Sequence, residues 1–357
     1  MSEPLDGGQS FIESWTAVGG PGPNVRTTTW ASGLRVQAIA STGGTTAIAG
    51  LVQAASTSTL QLEFVNPTMN FSSVSTQALE SSQFPGRVAR LRGLSSTGVA
   101  PMVVLTDGES GVGYRVKVRR FDSSSLTFGQ QLFETNMTGS AFGDDVVELP
   151  SGNLMSGWLM VAGRANGAPA YASSPGSNSN LVVMPRLAWS SFPLITAAIN
   201  SAPPGGIVDL FTGSTPNFTG PIRVSFDGTT FLFVAGQAGM GNTLRVERYT
   251  YPTFTLDSAL ASSGPMTVVD LIRGPTGVLL LGSIDGPSTF GGVTIPWLAN
   301  TGSNVVVIAM NANQITSVRT WNLPGHQRPV AFEHAAGTLA ILVHEGPNAS
   351  LWRTPVP

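Results

Sequence analysis

Residues 88–133 decide the fold, because they hold four strand-like segments in succession: VARLRGL (88–94), APMVVL (100–105), YRVKVRRF (114–121) and LTFGQQLF (126–133). Each segment is rich in β-branched, aliphatic or aromatic residues, and Ser, Gly and Asp lie between the segments. Such residues between apolar segments are typical of short antiparallel strands joined by turns. Four such strands in about 45 residues predict one blade of a β-propeller.

The same pattern recurs along the chain. A glycine followed within three residues by a short apolar run occurs six times, at Gly43, Gly98, Gly152, Gly228, Gly277 and Gly337. These glycines are 49 to 76 residues apart, which is a propeller-like period. We therefore predict an all-β chain that forms a single β-propeller, most simply with six four-stranded blades.

The repeats also predict where the blades lie and how the ring closes. The expected blades are residues 34–80, 87–134, 144–200, 217–261, 266–322 and 328–357. The last blade has only three strand-like segments, whereas residues 10–18 (SFIESWTAV) form such a segment outside any blade. Because closure removes a sheet edge, we expect residues 10–18 to pair with residues 349–354. Residues 201–216 are expected to be an insertion, with an additional degenerate blade as the alternative.

Residues 289–321 read TFGGVTIPWLANTGSNVVVIAMNANQITSVRTW. This unit resembles the bacterial β-propeller repeats of many myxobacterial exported proteins. The shared features are the turn Phe290-Gly291-Gly292, the strand at 304–310, the Asn-rich turn at 311–313 and the terminal Trp321. The resemblance covers about a tenth of the chain and implies a propeller of bacterial type, and it brings no catalytic residues with it.

Composition narrows the possible functions. Among 357 residues, 18 are Lys or Arg and 20 are Asp or Glu, so the net charge of −2 favours neither nucleic acid nor an anionic membrane as a partner. There is no cysteine, which excludes disulfides, thiolate metal sites and a cysteine nucleophile. The first residues, MSEPLDGGQSF, lack the basic and apolar regions of a signal peptide, and no apolar run is long enough for membrane insertion.

Basic residues concentrate in the second repeat. The candidate binding residues are Arg90, Arg92, Arg115, Lys117 and Arg119. Alternation places Arg115, Lys117 and Arg119 on one face of their strand, and Arg90 and Arg92 on one face of theirs. This cluster predicts an anionic partner surface, with a solvated, charge-balanced strand as the alternative.

The histidines and the acidic residues do not form a metal-binding or catalytic motif in the sequence. His326, His334 and His344 lie in the last repeat near Glu333 and Glu345, but His334 and His344 are expected at opposite ends of a hairpin. The turn at 107–109 and the pair Asp144–Asp145 lack the spacing of a calcium loop. We expect no metal, no cofactor and no catalytic residue.

Two functions follow from these observations. We favour a non-catalytic propeller that binds other proteins in an extracellular assembly, such as a virion, a tail-like particle or a surface appendage. The alternative is a glycan-binding lectin, or a glycan-active hydrolase or lyase with acids in the propeller channel. The seven tryptophans do not recur at one blade position, which favours core packing over a sugar platform in each blade.

Overall fold

The computed structural model describes parts of the chain between residues 24 and 357. The described residues are 24–26, 34–42, 45–53, 58–66, 72–82, 86–92, 102–109, 113–122, 127–134, 140–149, 158–166, 184–187, 221–238, 243–251, 255–298, 303–312, 314–323, 328–335, 338–345 and 348–357. Among these residues there are 25 strands and no α-helix. Accordingly, the described residues include no helix able to cross a membrane.

The strands are β1 (Asn24–Arg26), β2 (Leu34–Thr42), β3 (Thr45–Gln53), β4 (Ser58–Asn66), β5 (Ser72–Ser82), β6 (Gly86–Arg92), β7 (Met102–Glu109), β8 (Gly113–Asp122), β9 (Thr127–Glu134), β10 (Ser140–Leu149), β11 (Trp158–Asn166), β12 (Met184–Leu187), β13 (Arg223–Phe226), β14 (Phe231–Ala238), β15 (Thr243–Thr250), β16 (Thr255–Ser263), β17 (Met266–Arg273), β18 (Val278–Ile284), β19 (Ser288–Phe290), β20 (Val293–Ile295), β21 (Ser303–Met310), β22 (Ile315–Leu323), β23 (Arg328–Ala335), β24 (Thr338–Glu345) and β25 (Asn348–Pro355).

Consecutive strands pair antiparallel and form meanders. We name the meanders I (β2–β5), II (β6–β9), III (β10–β12), IV (β13–β16), V (β17, β18, β21 and β22) and VI (β23–β25). Meanders II and III join one sheet through a single parallel bridge between Tyr114 and Ser140. The first strands touch in cyclic order: β2 and β6, β6 and β10, β10 and β13, β13 and β17, β17 and β23, and β23 and β2. Successive meanders whose first strands meet in this way have the architecture of a β-propeller.

Apolar cores lie between neighbouring meanders. Leu149 and Ala162 of meander III pack with Val224 and Leu232 of meander IV. A second core joins meanders IV and V, and a third joins V and VI. The two middle strands of meander V, β18 and β21, are buried along their whole length, since both of their faces are covered. Their apolar sequences, VLLLGSI and SNVVVIAM, fit strands that are buried on both faces.

The Phe-Gly-Gly turn has a clear packing role. β19 and β20 form a hairpin that leaves meander V and pairs with the outer strand β16 of meander IV. Phe290 is completely buried in the core between the two meanders, and Gly291 and Gly292 have φ of 55° and 81°. L-residues with a side chain rarely adopt such angles, so the two glycines form the turn that places Phe290 in the core.

The strand beside β25 differs from the expected one. β1 pairs antiparallel with β25, with Val25 opposite Trp352. We expected residues 10–18 at this edge; those residues lie outside the described part of the chain, and β1 holds the edge along residues 351–353. Two further expected segments, 192–199 and the insertion at 201–216, also lie outside the described residues.

Meander III differs from its predicted bounds. The sequence predicts a strand at 154–161 and a loop from Gly163, but β11 runs from Trp158 to Asn166. Gly163 lies opposite Gly143, so this glycine continues the strand. A Cβ atom at Gly143 would lie 2.6 Å from Cγ1 of Val116 and 2.7 Å from Cγ1 of Val104. Gly143 is therefore needed for the close approach of meanders II and III.

Candidate functional site

Five of the six inner strands of the propeller share a β-bulge, whereas β13 pairs with β14 without a register shift. In β2, β6, β10, β17 and β23 the register against the second strand skips one residue near the middle of the strand. The residue that follows the bulge is Ala38, Arg90, Asp145, Asp270 or Ala331, respectively. The bulge is thus a repeated backbone feature, whereas the side chain after it differs from meander to meander.

Asp145 and Asp270 use this position in the same way. Oδ1 of Asp145 accepts the N–H of Val146 (2.8 Å), and Oδ2 accepts the N–H of Val224 in the next meander (3.0 Å). Oδ1 of Asp270 accepts the N–H of Leu271 (2.7 Å), and Oδ2 accepts the N–H of Phe332 (3.0 Å). Both carboxylates are fully buried. Each therefore fastens its own bulge to the first strand of the following meander, and we call this arrangement the aspartate clamp.

Arg223 lies between the two clamps. Its Nε donates to the carbonyl of Val269 in meander V (2.8 Å), and its Nη1 donates to the carbonyl of Asp144 in meander III (2.5 Å). Oδ2 of Asp144 accepts the N–H of Ile222 at 3.3 Å. Meander IV is therefore bound on both sides by charge-assisted hydrogen bonds to backbone groups.

Sequence reasoning missed these roles. In the sequence the pair Asp144–Asp145 resembles a calcium ligand or the start of a strand, and no motif marks Asp270 or Arg223. The signal was present, since Asp145 and Asp270 occupy the same place in two repeats. The signal becomes visible only when the repeats are aligned on the bulge, and no residue type marks that bulge.

The five basic residues of meander II divide between two faces. Arg90 lies opposite Val104 and Arg119 lies opposite Val103, so the two arginines alternate across the sheet. Arg92 shares the face of Arg90, whereas Arg115 and Lys117 share the face of Arg119. Lys117 is buried, with 5% of its surface exposed, and its cross-strand neighbour on β9 is Glu134.

His334 and His344 lie at opposite ends of one strand pair, as expected, and His326 lies outside the described residues. His334 lies opposite Leu339 next to the hairpin turn, and His344 lies opposite Arg328 at the far end of the same strand pair. Five residues along a strand correspond to about 17 Å. Burial lowers the pKa of His334. Among the described residues no cluster of His, Asp and Glu has the arrangement of a metal site.

Two of the tryptophans lie in the core between meanders V and VI. Trp321 is 6% exposed and Trp352 is 1% exposed, and both pack in the same apolar cluster. This placement agrees with the expected packing role for these two residues. Trp297 differs, because it is half-buried at the edge of the core between meanders IV and V.

A buried ionic group lies on β15. Nε of Arg245 is 2.6 Å from Oε1 of Glu247, and the hydroxyl of Tyr249 bonds to Oε2 of the same carboxylate. Glu247 is 1% exposed. Both of its oxygens have partners on its own strand, so this carboxylate is a structural element of meander IV.

Comparison with known proteins gives structural similarity alone. No family model matches the chain, and no curated protein matches it in sequence. One similar structure is a subtype N10 neuraminidase-like protein of A/little yellow-shouldered bat/Guatemala, with 10% identity, coverage of 97% of this chain and 99% of that one, and a TM-score of 0.47. The β-propeller domain of the Trilobed protease from Pyrococcus furiosus has 8% identity, coverage of 90% and 95%, and a TM-score of 0.40. A glycosyl hydrolase from Bacteroides ovatus has 10% identity, coverage of 98% of each chain and a TM-score of 0.38. These similarities assign no activity to this chain.

Proposed function

We propose that the chain is a closed six-bladed β-propeller that acts as a non-catalytic binding module. The cyclic contacts of the first strands and the pairing of β1 with β25 support the six-bladed ring. The module binds other proteins in an extracellular assembly such as a virion, a tail-like particle or a surface appendage. Nucleic acid and membrane insertion have no part in this proposal.

One observation carries the non-catalytic role. Two acids on the inner strands, where a channel enzyme would place its catalytic groups, are bound to backbone N–H groups. Asp145 and Asp270 each accept one bond from their own strand and one from the next meander. A carboxylate held in this way links blades, and its oxygens are directed at main-chain donors rather than at a ligand. In this proposal, partners bind to the rim and to the outer strands of the propeller.

The partner surface is proposed at the basic residues of meander II. Lys117 is buried, so Arg115 and Arg119, at alternate positions on either side of it on β8, are the residues to test. Reversal of both to Glu is expected to weaken association with native particles purified from the source, mainly through a slower association rate. Binding should also weaken as salt increases. Association equal to wild type at low salt would remove this surface from the proposal.

The alternative function is glycan binding or glycan cleavage. A glycan array run in parallel with a panel of fluorogenic glycosides separates the two functions. The proposal expects no turnover of any glycoside and no glycan bound above the level of a denatured control. Turnover that is lost in Asp144→Asn or Asp145→Asn protein, with an unchanged circular dichroism spectrum, would overturn it in favour of an enzyme.

A further inference from the structure

Two amide side chains face each other across strands β21 and β22 with unused hydrogen-bonding atoms. Asn304 and Asn322 are direct cross-strand partners, so their Cβ atoms are about 5 Å apart. Nδ2 of Asn304 and Oδ1 of Asn322 are both buried and have no hydrogen-bond partner among the described residues. Asn304 itself is fully buried. One atom is a donor and the other is an acceptor.

The orientation of Asn304 is set by a third contact. Its Oδ1 accepts the N–H of Leu298 at 2.8 Å, which fixes which end of the amide carries the free donor. Thr320, two residues before Asn322 on β22, adds a buried hydroxyl that also has no partner among the described residues. Since Thr320 and Asn322 alternate with Trp321, they share one face of the strand.

The residues around Asn304 and Asn322 determine which kind of chemical group fits between the two amides. The same face of β21 carries Val306 and Ile308, which belong to the core between meanders IV and V. Half-buried Trp297 packs at the edge of that core, and the next residue, Leu298, is 39% exposed. The three free polar atoms belong to uncharged side chains. The position therefore suits a neutral group that both accepts and donates a hydrogen bond.

We propose that Asn304, Asn322 and Thr320 bind one hydroxyl oxygen, supplied by a water molecule or by a small neutral polyol such as glycerol. The oxygen accepts the hydrogen bond of Nδ2 of Asn304 and donates its own hydrogen to Oδ1 of Asn322. Thr320 supplies the third partner, and a buried water molecule typically has about three. This site does not depend on the proposed protein-binding function.

A crystal structure of the full chain, grown without polyols, tests the site directly. We expect an oxygen within about 3.2 Å of both Nδ2 of Asn304 and Oδ1 of Asn322. A direct hydrogen bond between the two amides, with no oxygen at the position, would overturn the proposal. Soaking the crystals in glycerol distinguishes the sources, since a polyol hydroxyl would replace the water at the same position.

The sign of a stability change gives an independent test. If the oxygen is present, Asn322→Leu removes one of its partners, and Tm should fall by about 2 °C or more. If Oδ1 of Asn322 is simply unsatisfied, the apolar side chain should raise Tm, and this result would contradict the site. Ser317→Ala is the matched control, because Oγ of Ser317 on β22 is also buried and has no partner in the described part of the chain, but it lies on the other face of the strand. The control should leave Tm unchanged or raise it.

Discussion

The junction between meanders V and VI and the junction between meanders VI and I are built on the same backbone with different side chains. Both β17 and β23 have a bulge, but Asp270 follows the first bulge and Ala331 follows the second. Asp270 reaches the N–H of Phe332 in the next meander, and an alanine has no group that could do so. The bulge is thus common to five of the six meanders, and the aspartate clamp is an addition at two of the junctions.

This difference shows that the blades are held together in more than one way. At the junctions after meanders III and V the clamp acts together with an apolar core. At the junction after meander VI, the outer strand β25 instead pairs with β1, which lies near the start of the chain. We expect the two kinds of junction to respond differently to mutation.

Removal of β1 should have the largest effect. Deleting residues 1–27 exposes the edge of β25 and uncovers the strand that carries Trp352, so we expect the free energy of unfolding to fall by about 3–5 kcal/mol. Deleting residues 1–20 leaves β1 in place and serves as the control. Urea denaturation of the three proteins measures the effect. Equal loss of stability in both deletions would show that the stabilising strand lies before residue 21, as the sequence predicts for residues 10–18.

Removal of one aspartate clamp should cause the second-largest loss of stability. Asp270→Ala leaves two buried N–H groups without their acceptor, and we expect a loss of about 3 kcal/mol. Asp145→Ala should behave alike, because its carboxylate makes the same two kinds of bond. The exposed Asp257, which pairs with Arg248, is the control, and Asp257→Ala should cost less than about 1 kcal/mol. A clamp variant as stable as the control would show that the apolar cores alone hold these junctions.

Loss of Arg223, which links meander IV to the meanders on both sides of it, should reduce stability less than removal of a clamp does. Arg223→Met keeps much of the side-chain volume but removes the donors to Val269 and Asp144, and we expect a loss of about 2 kcal/mol. Arg319→Met, at an exposed position of β22, is the matched control and should stay within about 0.5 kcal/mol of wild type. Indistinguishable melting curves for the two variants would mean that Arg223 does not bridge the meanders in solution.

The smallest expected effect is the pH dependence of stability that arises from His334 in meander VI. Because burial lowers the pKa of His334 in the folded protein, the unfolded chain binds a proton more readily. Stability should therefore be complete above the unfolded pKa of about 6.5 and should decrease as pH falls below it. We expect His334→Leu to show a smaller decrease in Tm between pH 7.5 and pH 5.5 than wild type. An equal decrease in both proteins would assign the pH dependence to other groups.

The sequence predicts the strands well where apolar runs and glycine turns alternate. The expected segments at 268–273, 278–284 and 304–310 lie within β17, β18 and β21. Prediction was poorer at Gly163, because a glycine that permits close packing looks the same in sequence as one that forms a turn. The pairing of β1 with β25 was not predicted, because β1 has only three residues, NVR, and carries no periodic pattern.

The clamp and the basic cluster show why sites were harder to predict than strands. The spacing of Arg115, Lys117 and Arg119 predicts a shared face, but it does not reveal that Lys117 is buried. The function of Asp270 depends on Phe332, which is 62 residues away along the chain. Contacts of this kind arise from the arrangement of the meanders, and no local pattern in one strand contains them.

Native-state hydrogen exchange of two backbone amides tests the aspartate clamp most directly. In wild-type protein the N–H groups of Val224 and Phe332 should both be strongly protected, since each donates to a buried carboxylate. In Asp270→Ala protein the amide of Phe332 should exchange at least tenfold faster relative to Val224, whose partner Asp145 is intact; this ratio corresponds to about 1.4 kcal/mol. Equal protection of the two amides in the variant would contradict the claim that aspartates on the inner strands hold neighbouring blades together.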